Sequence, residues 1–214
     1  MVKVILFDLD GTLLLRKDRN WTRQQFIDWL VMNGVAEPEV VLGHPDWKDR
    51  TKRLQLLEIT LDEYKKWYEN FQYAELDRNK LELSRGRIYL AKGSIKLLKS
   101  LKYPKILVSN SSKEWVLFAL KRFKLNKYFE FVFERDYCFG RPVKPQIEVK
   151  DIIEKAVGKL SSDSIVVGDG ERDAEFARNC GFEFVALFKK IEGEKYINST
   201  KDLSCYLQQK GFIK

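Results

Sequence analysis

Short apolar runs alternate along most of the chain with stretches whose apolar residues fall three or four apart. The first run, VKVILF over 2–7, is rich in Val, Ile, Leu and Phe and stops at a polar turn ending in Gly11, which reads as a buried parallel strand. Four similar runs follow: KILVS (105–109), FEFVF (129–133), SIVVG (164–168) and FEFVAL (182–187). Helical spacing fills the gaps, over 94–101 (Ile95, Leu97, Leu98, Leu101), 112–123 (Val116, Ala119, Leu120, Phe123), 146–157 and 172–180. Strands alternating with helices of this length predict βαβ units and an α/β fold, a doubly wound parallel sheet with right-handed crossovers.

A different texture occupies 15–85, where we read no strand signal. Thr22 with Gln25 forms a capping box ahead of Phe26, Ile27, Leu30 and Val31, and Gly34 stops that helix. Pro45, whose fixed φ suits a first turn, opens a helix over 45–59. Thr60 with Glu63 caps a third, carrying Leu61, Tyr64, Trp67, Tyr68 and Phe71. Trp21, Trp29, Trp47 and Trp67 all lie here, as expected for the core of a small helical bundle. The expected organisation is a sheet domain from 1–14 and 86–214 with an all-helical insertion at 15–85.

Composition narrows the class. A chain of 214 residues with 44% hydrophobic positions buries a core too large for a stapled peptide or a disordered segment. Cys138, Cys180 and Cys205 are far apart and form no CxxC pair, so neither a disulfide framework nor a thiolate zinc site is indicated. No apolar run reaches the roughly 18 residues of a membrane span, and Asp8 and Asp10 interrupt the N-terminal run where a signal peptide would carry none. A soluble, cytoplasmic protein without membrane partners is expected. The net charge of +8 comes entirely from outside 15–85, which holds 13 bases and 13 acids; a solvated Lys-rich surface is the expected reading, an electrostatic funnel for a phosphorylated substrate the alternative, and nucleic acid fits less well, since no zinc-finger, RNP or recognition-helix pattern is present.

In an open parallel sheet, ligands gather at the carboxyl ends of the strands. Past those ends come Asp8 and Asp10, then Ser109 and Asn110, then Lys144 across a turn, then Asp169 and Asp173. Carboxylates crowded at one edge need compensation, and a divalent cation with oxygen ligands, Mg²⁺, is the simplest. The lysine, serine and asparagine suit a phosphoryl group, whose charge the cation would also neutralise.

The segments FDLDGTLL, LVSNSS, VKP and VVGDGERDAEFA, in this order, resemble the four motifs of the haloacid dehalogenase superfamily. The resemblance implies a Rossmann-like core, Asp8 as nucleophile forming an aspartyl-phosphate, and Asp10 as acid and then base. It further implies Ser109 and Asn110 on the phosphoryl oxygens, Lys144 balancing charge, and amides around Gly11 and Thr12 facing the phosphate. Asp8, Asp10, Asp169 and Asp173 would form the metal shell. The insertion resembles the helical C1 cap of subclass I members such as those similar to phosphoglycolate phosphatase, a lid that selects the substrate. Loop residue His44 and the bases Arg50, Lys52 and Arg53 lie within it.

The implied activity is a Mg²⁺-dependent phosphatase, monomeric, acting on a small phosphorylated metabolite. A phosphomutase or phosphotransferase of the same superfamily is the alternative. A dehalogenase, which has no leaving alkoxide to protonate, and a non-catalytic binding protein fit less well. Two departures stand out: Gly170 and Glu171 follow Asp169 where Ser or Thr is usual, and Arg141 in FGRPV precedes Lys144.

Overall fold

A computed structural model describes residues 1–17, 27, 30–32, 34, 37–38, 43–44, 55–58, 60, 62, 76–135 and 141–213. Six parallel strands form the main sheet: β1 (Ile5–Phe7), β4 (Lys105–Ser112), β5 (Phe131–Arg135), β6 (Ile165–Gly168), β7 (Glu183–Leu187) and β8 (Lys195–Ile197). Their spatial order is β5-β4-β1-β6-β7-β8. Leu6 stands opposite Ile106 on one side and Val166 on the other, so β1 is central and the strand order reverses beside it. That reversal opens the crevice at the C-terminal end of β1, where Asp8 begins.

Helices α1 (Ser94–Ser100), α2 (Lys113–Arg122), α3 (Glu148–Val157), α4 (Glu171–Cys180) and α5 (Thr200–Gln209) connect or follow the strands. Alternate residues of β1 enter opposite faces of the sheet. Val4 and Leu6 join a core cluster with Ile106, Val108, Phe133, Val149, Ile153, Phe176 and Phe184. Ile5 and Phe7 are also fully buried. Burial on both faces explains why the strands read as unbroken apolar runs rather than as alternation. Each such side chain contributes about 1.5–3 kcal/mol.

The sequence reading needs four adjustments. β4 continues past 109 to Ser112, its register against β5 shifting between Val108 and Ser112, so the polar SNSS stretch is extended backbone. β5 starts two residues late because a 3₁₀ turn over Asn126–Tyr128 precedes it. The stretch 15–85 does contain strand: β2 (Leu14–Arg16) pairs with β3 (Ile88–Leu90) as a separate two-stranded sheet. Its pairing partner lies some seventy residues away, which a local pattern does not register. Beyond Leu187, β8 was unannounced because only Ile197 of its three residues is buried. The helix α5 has a legible start, Ser199 accepting from the Asp202 amide at 3.1 Å.

The chain divides into two compact units, Met1–Leu15 with Ile88–Lys214, and Arg16–Arg87. In the second unit, residues 27, 30–32 and 76–84 are helical, and Gly34 adopts φ 78 after the first of these stretches. Arg16 donates to Asn79 Oδ1 at 3.0 Å. The capping-box residues Thr22 and Glu63, the four tryptophans, and Arg50, Lys52 and Arg53 lie outside the described residues; His44 is exposed. Among the described residues no helix is long and apolar enough to cross a membrane.

Candidate active site

Asp8 leaves β1 with its amide bonded to Val167 O at 2.9 Å, which keeps the residue in register with the end of β6. Its side chain is buried. Lys144, itself only 3% exposed, places Nζ 2.7 Å from Asp8 Oδ1 and also donates to Asp173 Oδ1. A buried ammonium therefore bridges two buried carboxylates. Burial pushes the Asp8 carboxyl up, Lys144 pulls it back, and Asp173 and Asp10 raise it again, leaving it at about 8 against an ordinary 3.8. For Lys144, burial disfavours the charge, but Asp173 and Asp8 outweigh it and hold the ammonium above the usual lysine range.

Asp8, Asp169 and Asp173 each bring a carboxylate oxygen within 4.8 Å of the others. Three carboxylates against one ammonium leave excess negative charge in a partly buried place, and an all-oxygen donor set of this kind fits Mg²⁺. The backbone makes room for it. Gly11 has φ 91, and a Cβ there would collide with the Asp169 carboxylate. Gly168 is equally confined by the Asp173 side chain. Glycine at position 11 thus meets two needs, the left-handed backbone and the close approach.

Gly170 and Glu171, the departures from the usual last motif, find a local role. Gly170 is the N-cap of α4, and its amide donates to Asp173 Oδ2 at 3.1 Å, so Asp173 is held by Lys144 on one oxygen and by the helix start on the other. Glu171 is exposed in the first turn, where an acid complements the helix dipole.

Asp10, expected among the metal ligands, stands outside the three-carboxylate group. Its Oδ2 accepts from Ser111 Oγ at 2.7 Å and from Trp115 Nε1 at 3.0 Å, and Oδ1 lies 3.2 Å from the same indole nitrogen. Residues two apart in a strand would share a face, but β1 ends at Phe7 and the chain turns over 9–13, so Asp8 faces Lys144 while Asp10 faces the start of α2. Ser111 and Trp115 were not among the residues singled out by sequence. Trp115 falls one position before Val116 on the apolar face of α2, and its place as the third helical residue follows from the Ser112 cap, whose Oγ accepts the Trp115 amide at 3.2 Å.

The remaining candidates are distributed as follows. Ser109 is buried, and its Oγ accepts the Ser111 amide at 3.1 Å. Asn110 clamps the Lys144 backbone, donating through Nδ2 to Lys144 O and accepting from Lys144 N at Oδ1, both at 2.9 Å. Its side-chain amide therefore sets the height of the loop that carries the lysine. Thr12 is fully buried with its hydroxyl 3.5 Å from Asp8 Oδ2, the outer limit of a hydrogen bond. The Gly11 amide bonds Leu14 O at 2.7 Å, which folds the 9–14 loop back on itself. Arg141 lies with its guanidinium 4.6 Å from the Phe133 ring centre and 3.6 Å from Glu134, so it braces the end of β5.

Known proteins resemble this chain along nearly its whole length. A curated relative, pyrophosphatase PpaX of Halalkalibacterium halodurans, is 24% identical over 198 residues, covering 92% of this chain and 88% of its own. A predicted phosphatase from Clostridium acetobutylicum superposes with a TM-score of 0.69 at 19% identity, covering 98% of this chain and 99% of that one. CbbY from Rhodobacter sphaeroides, solved in complex with phosphate, gives 0.67 at 17% identity, with 95% and 96% covered. These similarities establish the Rossmann-like fold, and the family model for haloacid dehalogenase-like hydrolases matches residues 2–181. With its four motifs on the ends of β1, β4 and β6 and on the Lys144 loop, the chain belongs to the haloacid dehalogenase-like hydrolases.

Proposed function

We propose that this hydrolase is a Mg²⁺-dependent phosphatase that cleaves a small phosphorylated metabolite through an aspartyl-phosphate on Asp8. The observation that carries the reading is the division of labour between two carboxylates two residues apart. Asp8 is buried against Lys144 and the Asp169–Asp173 pair, and Asp10 rests on separate hydrogen-bond donors. The phosphatase name of the PpaX relative and the phosphate in the CbbY structure support the same class of substrate.

Asp8, Asp169 and Asp173 are the residues that would hold Mg²⁺. When bound there, the cation supplies charge neutralisation for the carboxylates and for the phosphoryl oxygens. Lys144 holds the nucleophile's Oδ1 and orients the carboxylate at the end of β1. Asn110 secures the lysine by its two backbone bonds, and Ser109 and the 9–12 backbone line the same strand ends, where phosphoryl oxygens are expected. Asp8 attacks phosphorus while Asp10 protonates the departing alkoxide. Asp10 then takes a proton from the water that releases phosphate from Asp8. The stretch 15–85, inserted between β1 and β3, is assigned the role of a cap that chooses the substrate.

Phosphate release from an aryl phosphate, with and without Mg²⁺, tests this reading in wild type and Asp8→Asn. The expected outcome is Mg²⁺-dependent release that falls by about a thousandfold or more in the variant. Release that survives in Asp8→Asn would sink the covalent route.

A further inference from the structure

Trp115 poses a question that the family motifs leave open. It is the largest fully buried side chain of the described residues and stacks on Phe118 with ring centres 6.1 Å apart, as a core residue does. An indole N–H in such a place needs an acceptor, and a backbone carbonyl would satisfy it. Here the acceptor is instead a carboxylate of the reaction centre, approached at 3.0 and 3.2 Å. Ser111 Oγ reaches the same carboxylate at 2.7 Å.

From this convergence we infer that Trp115 and Ser111 are positioning residues for leaving-group protonation. They hold the Asp10 carboxylate in one orientation, from which it delivers and recovers the proton. The inference rests on the phosphatase reading above. Three features carry it. Three hydrogen bonds from two donors converge on this one carboxylate, two on Oδ2 and one on Oδ1. The donors are rigidly placed: Ser111 closes the extended end of β4, and Trp115 is seated by the Ser112 cap at the start of α2. A free carboxyl rotates about its last bond between two equal orientations, and anchoring one oxygen removes that freedom before substrate arrives.

The proton accounting is closed. As an Asp8 oxygen bonds to phosphorus, the P–O ester bond breaks and its electron pair goes to the leaving oxygen, which takes the proton from the Asp10 carboxyl. In the second half, water bonds to phosphorus and gives a proton back to the Asp10 carboxylate, and the bond from phosphorus to Asp8 breaks to restore the Asp8 carboxylate.

A positioning role makes a prediction that structural support does not, because a leaving group that departs readily has little need of a proton. We would compare phenyl phosphate with 2,4-dinitrophenyl phosphate, in the presence of Mg²⁺, for wild type, Trp115→Phe, Ser111→Ala and Ser111→Thr. Trp115→Phe keeps an aromatic ring in the core and removes the N–H. Ser111→Ala provides a second, less buried variant should the first fold poorly, with thermal melting as the check. The expected result is a kcat on phenyl phosphate about tenfold lower in Trp115→Phe and in Ser111→Ala, with KM little changed. Turnover of the dinitrophenyl ester stays within about twofold, and Ser111→Thr recovers activity. Equal losses on both esters, or no loss on either, would overturn the inference. Absence of turnover of both esters by the wild-type chain would overturn the phosphatase reading instead, and so the two failures are told apart.

Discussion

Asp8 and Asp10 are two residues apart at one strand end, yet they occupy opposite environments. Asp8 belongs to a buried network of charges in which one ammonium serves two carboxylates and a third stands within 4.8 Å. Asp10 is half-buried and held by a hydroxyl and an indole, both uncharged donors. The contrast teaches that closeness along the chain does not set a carboxylate's surroundings; the groups that reach it from elsewhere do.

The comparison breaks most visibly if its charged half is opened. Lys144→Met leaves Asp8 and Asp173 facing each other in a buried place, and we expect a loss of about 3 kcal/mol in unfolding free energy, measured by urea denaturation of metal-free protein. No comparable loss would mean that the carboxylates are solvated enough to dispense with the lysine.

A second effect sharpens the same half. The folded-state value for Asp8 is raised, so between its ordinary 3.8 and about 8 the folded protein keeps a proton that the unfolded chain has released. The contribution of Asp8 to stability is therefore fully present below that window and is lost as pH rises through it, at up to about 1.4 kcal/mol per pH unit. Lys144, raised from an already alkaline value, adds no slope there. Thermal melts of metal-free wild type against Asp8→Asn across pH 4–8 should show the difference between them drifting in favour of the variant as pH rises. A constant difference would place the Asp8 carboxyl in the ordinary range.

On the uncharged side the expected effect is smaller still. Ser112→Ala removes the cap that seats Trp115, and should cost about 1 kcal/mol in stability while lowering kcat on a phenyl ester. Lost stability with unchanged kcat would show that α2 holds the indole without its cap.

Much of this was readable along the chain. The apolar runs located β1, β4, β6 and β7 to within a few residues because strands buried on both faces admit almost no polar interruption. Asp8, Lys144, Asp169 and Asp173 were visible as polar residues just beyond strand ends or in the loop that the VKP motif marks. Less was legible where partners are distant or burial is one-sided. β2 depends on β3, and β8 has one buried residue. Asn110 was legible as a polar residue near the end of β4, but its clamp on the backbone of a residue 34 positions away was not.

What the sequence determined by itself is the order and chemistry of the strand ends, since parallel winding carries every strand's C-terminus to one edge whatever the details of packing. Which carboxylate joins Asp169 and Asp173 and which is set apart was decided only in three dimensions. Asp8 and Asp10 are the same residue type, on the same turn, and nothing local distinguishes them. The choice was made by what approaches from elsewhere: the Lys144 ammonium on one side, and the Ser111 hydroxyl and Trp115 indole on the other. Hydrogen bonds and ion pairs act over a few ångströms of space, at any separation along the chain.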